Sequence, residues 1–182
     1  MREVQVLKRT TARSTAGWIV VALVGSAVLG LIGGLIWGEL APRAMLEEIS
    51  TGTAEVINAE TRAFFGADAW FCGISAVAGL LTGVLGYRFA VAHRDGGARA
   101  AVAAALIAGA VAGEFTMLWL GEQIGLSSYN QHLASSPNGT LFAASLALGA
   151  KSALAFWPFF TAVVLLIAEW GTRPAAKQPA PE

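Results

Sequence analysis

The residue whose type and position most suggest chemistry is a glutamate in the middle of an apolar stretch. Glu114 lies within the run GAVAGEFTMLWLGE (residues 109–122), and the residues before it carry no charge after Arg99. An acidic side chain at the centre of a membrane-spanning helix costs about 2.5–3.5 kcal/mol on insertion scales. Such a group usually faces the interior of a helix bundle, where it pairs with another group or binds a proton. Glu114 is therefore a candidate structural or functional site.

Lys151 is the predicted partner of Glu114. If the third span runs outward to Glu122 and the fourth runs inward from Leu141, the two residues lie about 12 Å and about 15 Å below the outer end. These similar depths predict a buried Glu114–Lys151 ion pair across an antiparallel helix hairpin. Such a pair either fixes how the two helices dock or binds a proton, an ion or a charged substrate. The remaining alternative is no contact, with Lys151 extending outward to water.

Two glycine pairs could bring helix backbones into close contact. Gly79 and Gly83 in GLLTG, and Gly109 and Gly113 in GAVAG, both have the GxxxG spacing. Glycines four residues apart leave a shallow groove on one helix face, so another backbone can approach closely. The alternative is that these glycines have no packing role, because small residues are common in membrane helices in any case. The pattern predicts tight packing of the second and third spans against neighbouring helices.

The sequence offers no residue set with the spacing that nucleophilic, metal or phosphate chemistry requires. It contains one cysteine, Cys72, and two histidines, His93 and His132, which are far apart in the chain. A single cysteine excludes an internal disulfide, and these residues predict no metal site. Because 12 basic and 12 acidic residues give zero net charge, the composition gives no argument for a nucleic-acid partner. We expect neither enzyme activity nor a bound cofactor.

Four apolar stretches predict the helices that position these residues. Of 182 residues, 55% are hydrophobic and 13% are charged, whereas soluble chains average about 25% charged. A helix needs about 20 mostly apolar residues to cross a bilayer core. The stretches that reach this length are residues 17–37, 69–91, 100–121 and 141–170. The sequence therefore predicts an all-α membrane protein with four transmembrane helices, of which the last is tilted, kinked at Pro158 or protruding.

The segment between the first two spans, residues 38–68, predicts a small excursion outside the membrane. Its run AMLEEISTGTAEVINAE predicts a β-hairpin with Thr51 and Gly52 as turn residues. A short helix around residues 60–65 would follow. The competing interpretation is helical, because Ala, Met, Leu and Glu are good helix formers.

The positions of Lys and Arg predict the orientation. Nine lie in the N-terminal tail, the connection between spans two and three, and the C-terminal tail: Arg2, Lys8, Arg9, Arg13, Arg88, Arg94, Arg99, Arg173 and Lys177. The outward segments hold two, Arg43 and Arg62. Since cytoplasmic loops carry the excess of Lys and Arg, both termini are expected in the cytoplasm. Residues 1–16 are then expected to form a cytoplasmic tail. Residues 171–182, which are rich in Pro and Ala, are expected to form a disordered cytoplasmic tail.

Several short runs, in their order along the chain, resemble a known family. IWGELAP closes the first span, GADAWF opens the second, AGLLTG follows, and WPFF lies in the last. Together they resemble an actinobacterial family of four-span membrane proteins of unknown function, over residues 17–170. The resemblance implies a plasma-membrane protein with a short extended segment outside, and it supplies no catalytic residues.

These features predict an integral plasma-membrane protein that acts as a non-enzymatic structural or partner subunit of a membrane complex. Its expected partners are the lipid bilayer and either another membrane protein or a second copy of the chain. The alternative is a small transporter or channel component that uses Glu114 as an intramembrane titrating or ion-paired site. A pore would require an oligomer, because four helices enclose little space.

Overall fold

The computed structural model describes residues 2–50, 52–57, 62–94 and 96–172, with side chains described from Thr15 onward. The elements in these ranges are α1 (Arg2–Leu40), β1 (Met45–Ser50), β2 (Thr53–Val56), α2 (Ala63–Gly86), α3 (Gly96–Gln123), α4 (Leu126–Ser135), β3 (Leu141–Ala143) and α5 (Phe156–Gly171). A π-helical turn (Tyr87–Val91) continues α2, and a 3-10 helical turn (Lys151–Ala155) precedes α5. The chain is mostly helical, as predicted.

Four helical stretches among the described residues are long and apolar enough to cross a membrane. They are Thr15–Leu40, Ala63–Val91, Gly96–Ser135 and Lys151–Gly171. The first three contain the predicted spans 17–37, 69–91 and 100–121. Because α1 begins at Arg2, the predicted N-terminal tail is helical from that residue on. Of the predicted C-terminal tail, residues 171–182, Gly171 is the last residue of α5 and Thr172 forms a turn, and residues 173–182 lie outside the described ranges.

The fourth span is shorter than the predicted 141–170. Residues 141–143 form β3, residues 144–150 are not helical and bend at Gly149, and the helical span begins only at Lys151. The extended part buries every second side chain, at Phe142, Ala144, Leu146 and Leu148. This period of two is that of a strand. The segment is as apolar as a helical span, so length and hydropathy alone assigned it to the helix.

The predicted β-hairpin is present between α1 and α2. Strands β1 and β2 pair antiparallel, with Leu46 opposite Val56, and Gly52 in the turn has a φ of +83°. A third strand, β3, which was not predicted, pairs with the other edge of β1 and gives the order β2-β1-β3. The predicted short helix around residues 60–65 is replaced by the start of α2 at Ala63, and residues 58–61 lie outside the described ranges.

The helices pack as two parallel pairs, and the sheet lies at one end of the bundle, here called the sheet end. Helices α1 and α3 both run toward this end and contact each other extensively. Helices α2 and α5 both run away from it and form the second pair, while α3 joins the pairs by contacting α5. The chain neighbours α1 and α2 contact each other only sparsely. This arrangement leaves an open groove between α1 and α2.

Two charged side chains fix the sheet end by binding backbone groups. Arg43 Nη2 donates to the carbonyl oxygens of Gly38 at 2.7 Å and Ile124 at 2.9 Å, near the ends of α1 and α3. Terminal carbonyls of a helix carry partial negative charge, so a cation is favourable there. The carboxylate of Asp68 accepts the backbone N–H groups of Gly149 and Ala150, both at 2.9 Å. The extended segment is thereby tied to α2.

Candidate functional site

The carboxyl group of Glu114 lies in the middle of the bundle, where α2, α3 and α5 meet. Its side chain is completely buried. Ser75 Oγ, on α2, donates a hydrogen bond of 2.8 Å to Oε1, and the backbone N–H of Trp157, in the first turn of α5, also approaches the carboxyl group. The other oxygen, Oε2, has no hydrogen-bond partner among the described residues. Glu114 is thus an interior group that is only partly satisfied.

The structure does not bring Lys151 to Glu114. Lys151 is exposed at the start of the 3-10 turn that precedes α5. The predicted match in depth assumed that the chain is helical from Leu141 onward. Because residues 144–150 are not helical, Lys151 lies at the beginning of the fourth helical span instead of within it. The predicted Glu114–Lys151 ion pair is therefore replaced by the hydrogen bond from Ser75.

Other buried polar groups beside Glu114 join α2 to α5. Trp157 Nε1 donates to Thr82 Oγ1 at 3.0 Å, and Thr161 Oγ1 donates to the carbonyl oxygen of Gly79 at 3.1 Å. Thr82, Trp157 and Thr161 are all buried. In bacteriorhodopsin, hydrogen bonds between membrane helices average about 0.6 kcal/mol each. These side chains have hydrogen-bond partners, whereas Oε2 of Glu114 has none among the described residues.

The glycines of the first GxxxG pair lie against α5. A Cβ atom at Gly79 would stand 2.6 Å from the carbonyl oxygen of Trp157. At Gly83 it would stand 2.6 Å from the Cβ atom of Val164. Both distances are shorter than van der Waals contact, so only glycine permits this approach of α2 and α5.

The glycines of the second pair lie against α1. A Cβ atom at Gly109 would stand 2.8 Å from the carbonyl oxygen of Ala22. At Gly113 it would stand 2.7 Å from the carbonyl oxygen of Ser26 and 2.7 Å from the ring of Trp157. Gly113 is therefore enclosed between α1 and α5, directly beside Glu114 in the chain.

The partner surface on α1 is a row of small residues that sequence reasoning missed. They recur at every fourth position: Ala22, Ser26, Gly30, Gly34 and Gly38. A Cβ atom at Gly34 would stand 2.8 Å from the carbonyl oxygen of Met117, and one at Gly30 would collide with the backbone of Gly113. The four-residue spacing was visible in the sequence and would have predicted a close-packing face on α1.

Known proteins offer no assignment for this site. Comparisons with protein families, curated proteins and solved structures find no match. The resemblance to the actinobacterial membrane family therefore stays a prediction. Among the residues that the structure describes, no three of His, Cys, Asp and Glu are grouped as metal ligands.

An apolar groove lies open between α1 and α2, and it is here called the α1–α2 groove. Its part nearer the sheet has a volume of about 510 Å³ and is lined by Ile36, Trp70 and Val77, among others. The part farther from the sheet has about 290 Å³ and extends to Trp18. Both parts share Leu29 and Leu81, so the groove is continuous.

Two glycines in this groove differ from those in the interior. A Cβ atom at Gly25 or Gly73 would meet nothing within 4 Å. From Trp18 to Ile36, the α1 wall rises about 27 Å at 1.5 Å per residue, which is close to the bilayer core of about 30 Å. The α1–α2 groove is thus as long as a membrane span, and no other helix within the described ranges lines it apart from Leu106 of α3 at its far end.

Proposed function

We propose that this chain is an integral plasma-membrane protein with both termini in the cytoplasm. The four apolar helical stretches support the crossings. The sheet lies at the end that carries Arg43, Arg62 and Lys151, whereas the other nine of the 12 basic residues belong to the opposite end or the tails. The excess of Lys and Arg on the cytoplasmic side then puts the sheet outside.

Within that membrane, the protein acts as a non-enzymatic partner subunit that receives one helix of another membrane protein. The observation that carries this proposal is the α1–α2 groove. Lipid gives helices no hydrophobic reason to associate, so they associate where small residues allow close packing. The chain uses its interior glycines in this way, while Gly25 and Gly73 are left facing the groove. A single apolar helix of membrane-spanning length fits this surface.

Site-specific photo-crosslinking in membranes tests the proposal. We expect a photoreactive residue at Val77, in the groove, to give one protein adduct of constant mass. Leu166 on α5 is the matched control, because it is also exposed, 65% against 58% for Val77, but lies outside the groove. Filling the groove with Gly73→Leu should abolish the adduct without unfolding the protein, since the site has free space.

Three outcomes would contradict the proposed partner. Equal protein adducts from Val77 and Leu166 would indicate random collisions in the membrane. Adducts with lipid alone at Val77 would show that lipid fills the groove. An adduct of twice the mass of the chain would show that the partner is a second copy of the chain, as in a homo-oligomer.

A small transporter with Glu114 as its titrating site is the second candidate. The unpartnered Oε2 atom favours it, because intramembrane carboxyl groups commonly mark proton relays. The complete burial of Glu114 favours the subunit instead, since a relay needs a path to water. If Glu114→Gln leaves proton or solute flux unchanged in reconstituted vesicles, the proposal that Glu114 takes part in transport is wrong.

A further inference from the structure

A second pocket lies at the end of the bundle opposite the sheet, where α2 continues into the π-helical turn beside the last turns of α5. Its volume is about 560 Å³. The residues that line it are Val84, Tyr87, Arg88, Ala92, His93, Val164 and Ala168. π-helical turns are rare and are often found at functional sites. The pocket is separate from both Glu114 and the α1–α2 groove.

The charge at this pocket is not neutralised by neighbouring described residues. Arg99 forms a salt bridge with Glu169, with Nη1 at 2.9 Å from Oε1. The guanidinium carbon of Arg94 lies over the ring of Trp18 at 5.3 Å from its centroid. In contrast, Arg88 is exposed and has no ion pair or side-chain hydrogen bond within the described ranges. Arg88 is therefore available to an external anion.

The walls of the pocket indicate which anion it suits. Val84 and Val164 form an apolar side that continues along the helices toward the centre of the bundle. His93, which is exposed, adds ring nitrogens at the polar side. A ligand that fits must carry a negative charge at one end and apolar chains at the other.

We propose that this pocket binds an anionic phospholipid of the adjacent leaflet, with its phosphate at Arg88 and His93 and its acyl chains along Val84 and Val164. The inference rests on the proposed membrane insertion, which makes that leaflet the cytoplasmic one. Basic pockets between membrane helices on the cytoplasmic side bind anionic headgroups for the same electrostatic reason. Tyr87 OH donates to the carbonyl oxygen of Ala168 at 3.3 Å, which holds the two walls together.

Native mass spectrometry of the full chain, purified in mild detergent, tests this site with phosphatidylglycerol and phosphatidylcholine as probes. We expect tighter binding of phosphatidylglycerol, and Arg88→Gln should weaken it about fivefold while leaving phosphatidylcholine unchanged. Arg62→Gln is the matched control, because Arg62 is an exposed arginine at the sheet end. It should leave the binding of both lipids unchanged.

A filling variant separates a shaped pocket from general attraction to positive charge. Ala92→Phe keeps Arg88 and occupies the pocket, so it should also weaken phosphatidylglycerol binding several-fold. The proposal is overturned if Ala92→Phe has no effect, or if Arg62→Gln weakens binding as much as Arg88→Gln. Displacement of the lipid by inorganic phosphate at equal concentration would likewise overturn it in favour of a site for a free anion. Extraction of the chain without detergent would instead refute the membrane insertion itself.

Discussion

Gly113→Leu is expected to destabilise the bundle strongly, because the site is closed on two sides. The new side chain would start 2.7 Å from the carbonyl oxygen of Ser26 and 2.7 Å from the ring of Trp157. Neither neighbour can yield easily, since one is helix backbone and the other is a buried ring. Overpacking a filled interior costs about 1–3 kcal/mol of stability. Because the new side chain meets atoms on two sides, we expect this variant to lose about 3 kcal/mol of unfolding free energy.

The measurement is reversible unfolding of the detergent-solubilised protein by sodium dodecyl sulfate, followed by circular dichroism. Gly25→Leu is the control, because the same substitution on α1 meets no atom within 4 Å of its Cβ. We expect the control to unfold at the same denaturant fraction as the unchanged protein. Equal unfolding of the Gly113 and Gly25 variants would show that α1, α3 and α5 do not meet at Gly113.

The second large effect concerns Glu114 and Ser75, whose substitutions should change stability in opposite directions. Ser75→Ala removes the side-chain donor to Oε1, and a buried acceptor left without its partner costs about 1–3 kcal/mol. Glu114→Leu removes a buried carboxyl group that is only partly satisfied. Burying a carboxyl group without a full set of hydrogen bonds costs free energy, so this variant should be at least as stable as the unchanged protein.

The double variant shows whether the two residues act through their hydrogen bond. In the Glu114→Leu background, Ser75→Ala should cost little, because the acceptor is already gone. The same unfolding assay measures all three variants. Additive free-energy changes would mean that Ser75 and Glu114 do not interact, and a large loss of stability from Glu114→Leu would mean that the carboxyl group is structurally required.

The outcome for Glu114→Leu also separates the two candidate functions. A group retained against stability is commonly retained for function. If the variant is more stable and still gives the Val77 crosslink, the partner subunit does not depend on Glu114. If it is more stable but loses flux in vesicles, the transporter becomes the better proposal.

Local patterns in the sequence predicted three helices and the hairpin. Residues 17–37 are uniformly apolar, and Gly52 supplies the positive φ that its turn requires. The same local patterns misassigned residues 141–150, since an apolar segment becomes a strand or a helix according to what it packs against. Here β1 supplies that neighbour, at a sequence distance that local reasoning does not cover.

The candidate site was predictable in its position but not in its partner. Insertion cost alone indicated that Glu114 faces the interior, and it is completely buried. Ser75 could not be identified as the partner of Glu114 from the sequence, because the two residues are 39 positions apart. They meet only when α2 packs against α3. Lys151 was chosen on the assumption of a helix that starts ten residues too early.

Accessibility of single cysteines in intact cells tests most directly whether the chain crosses the membrane with its sheet outside. In a Cys72→Ala background, Ser50→Cys reports the sheet end and Ala92→Cys the opposite end, and both positions are exposed. We expect a membrane-impermeant maleimide to label Ser50→Cys in intact cells, and Ala92→Cys only after the cells are permeabilised. Labelling of both without permeabilisation, or of Ala92→Cys alone, would contradict the account.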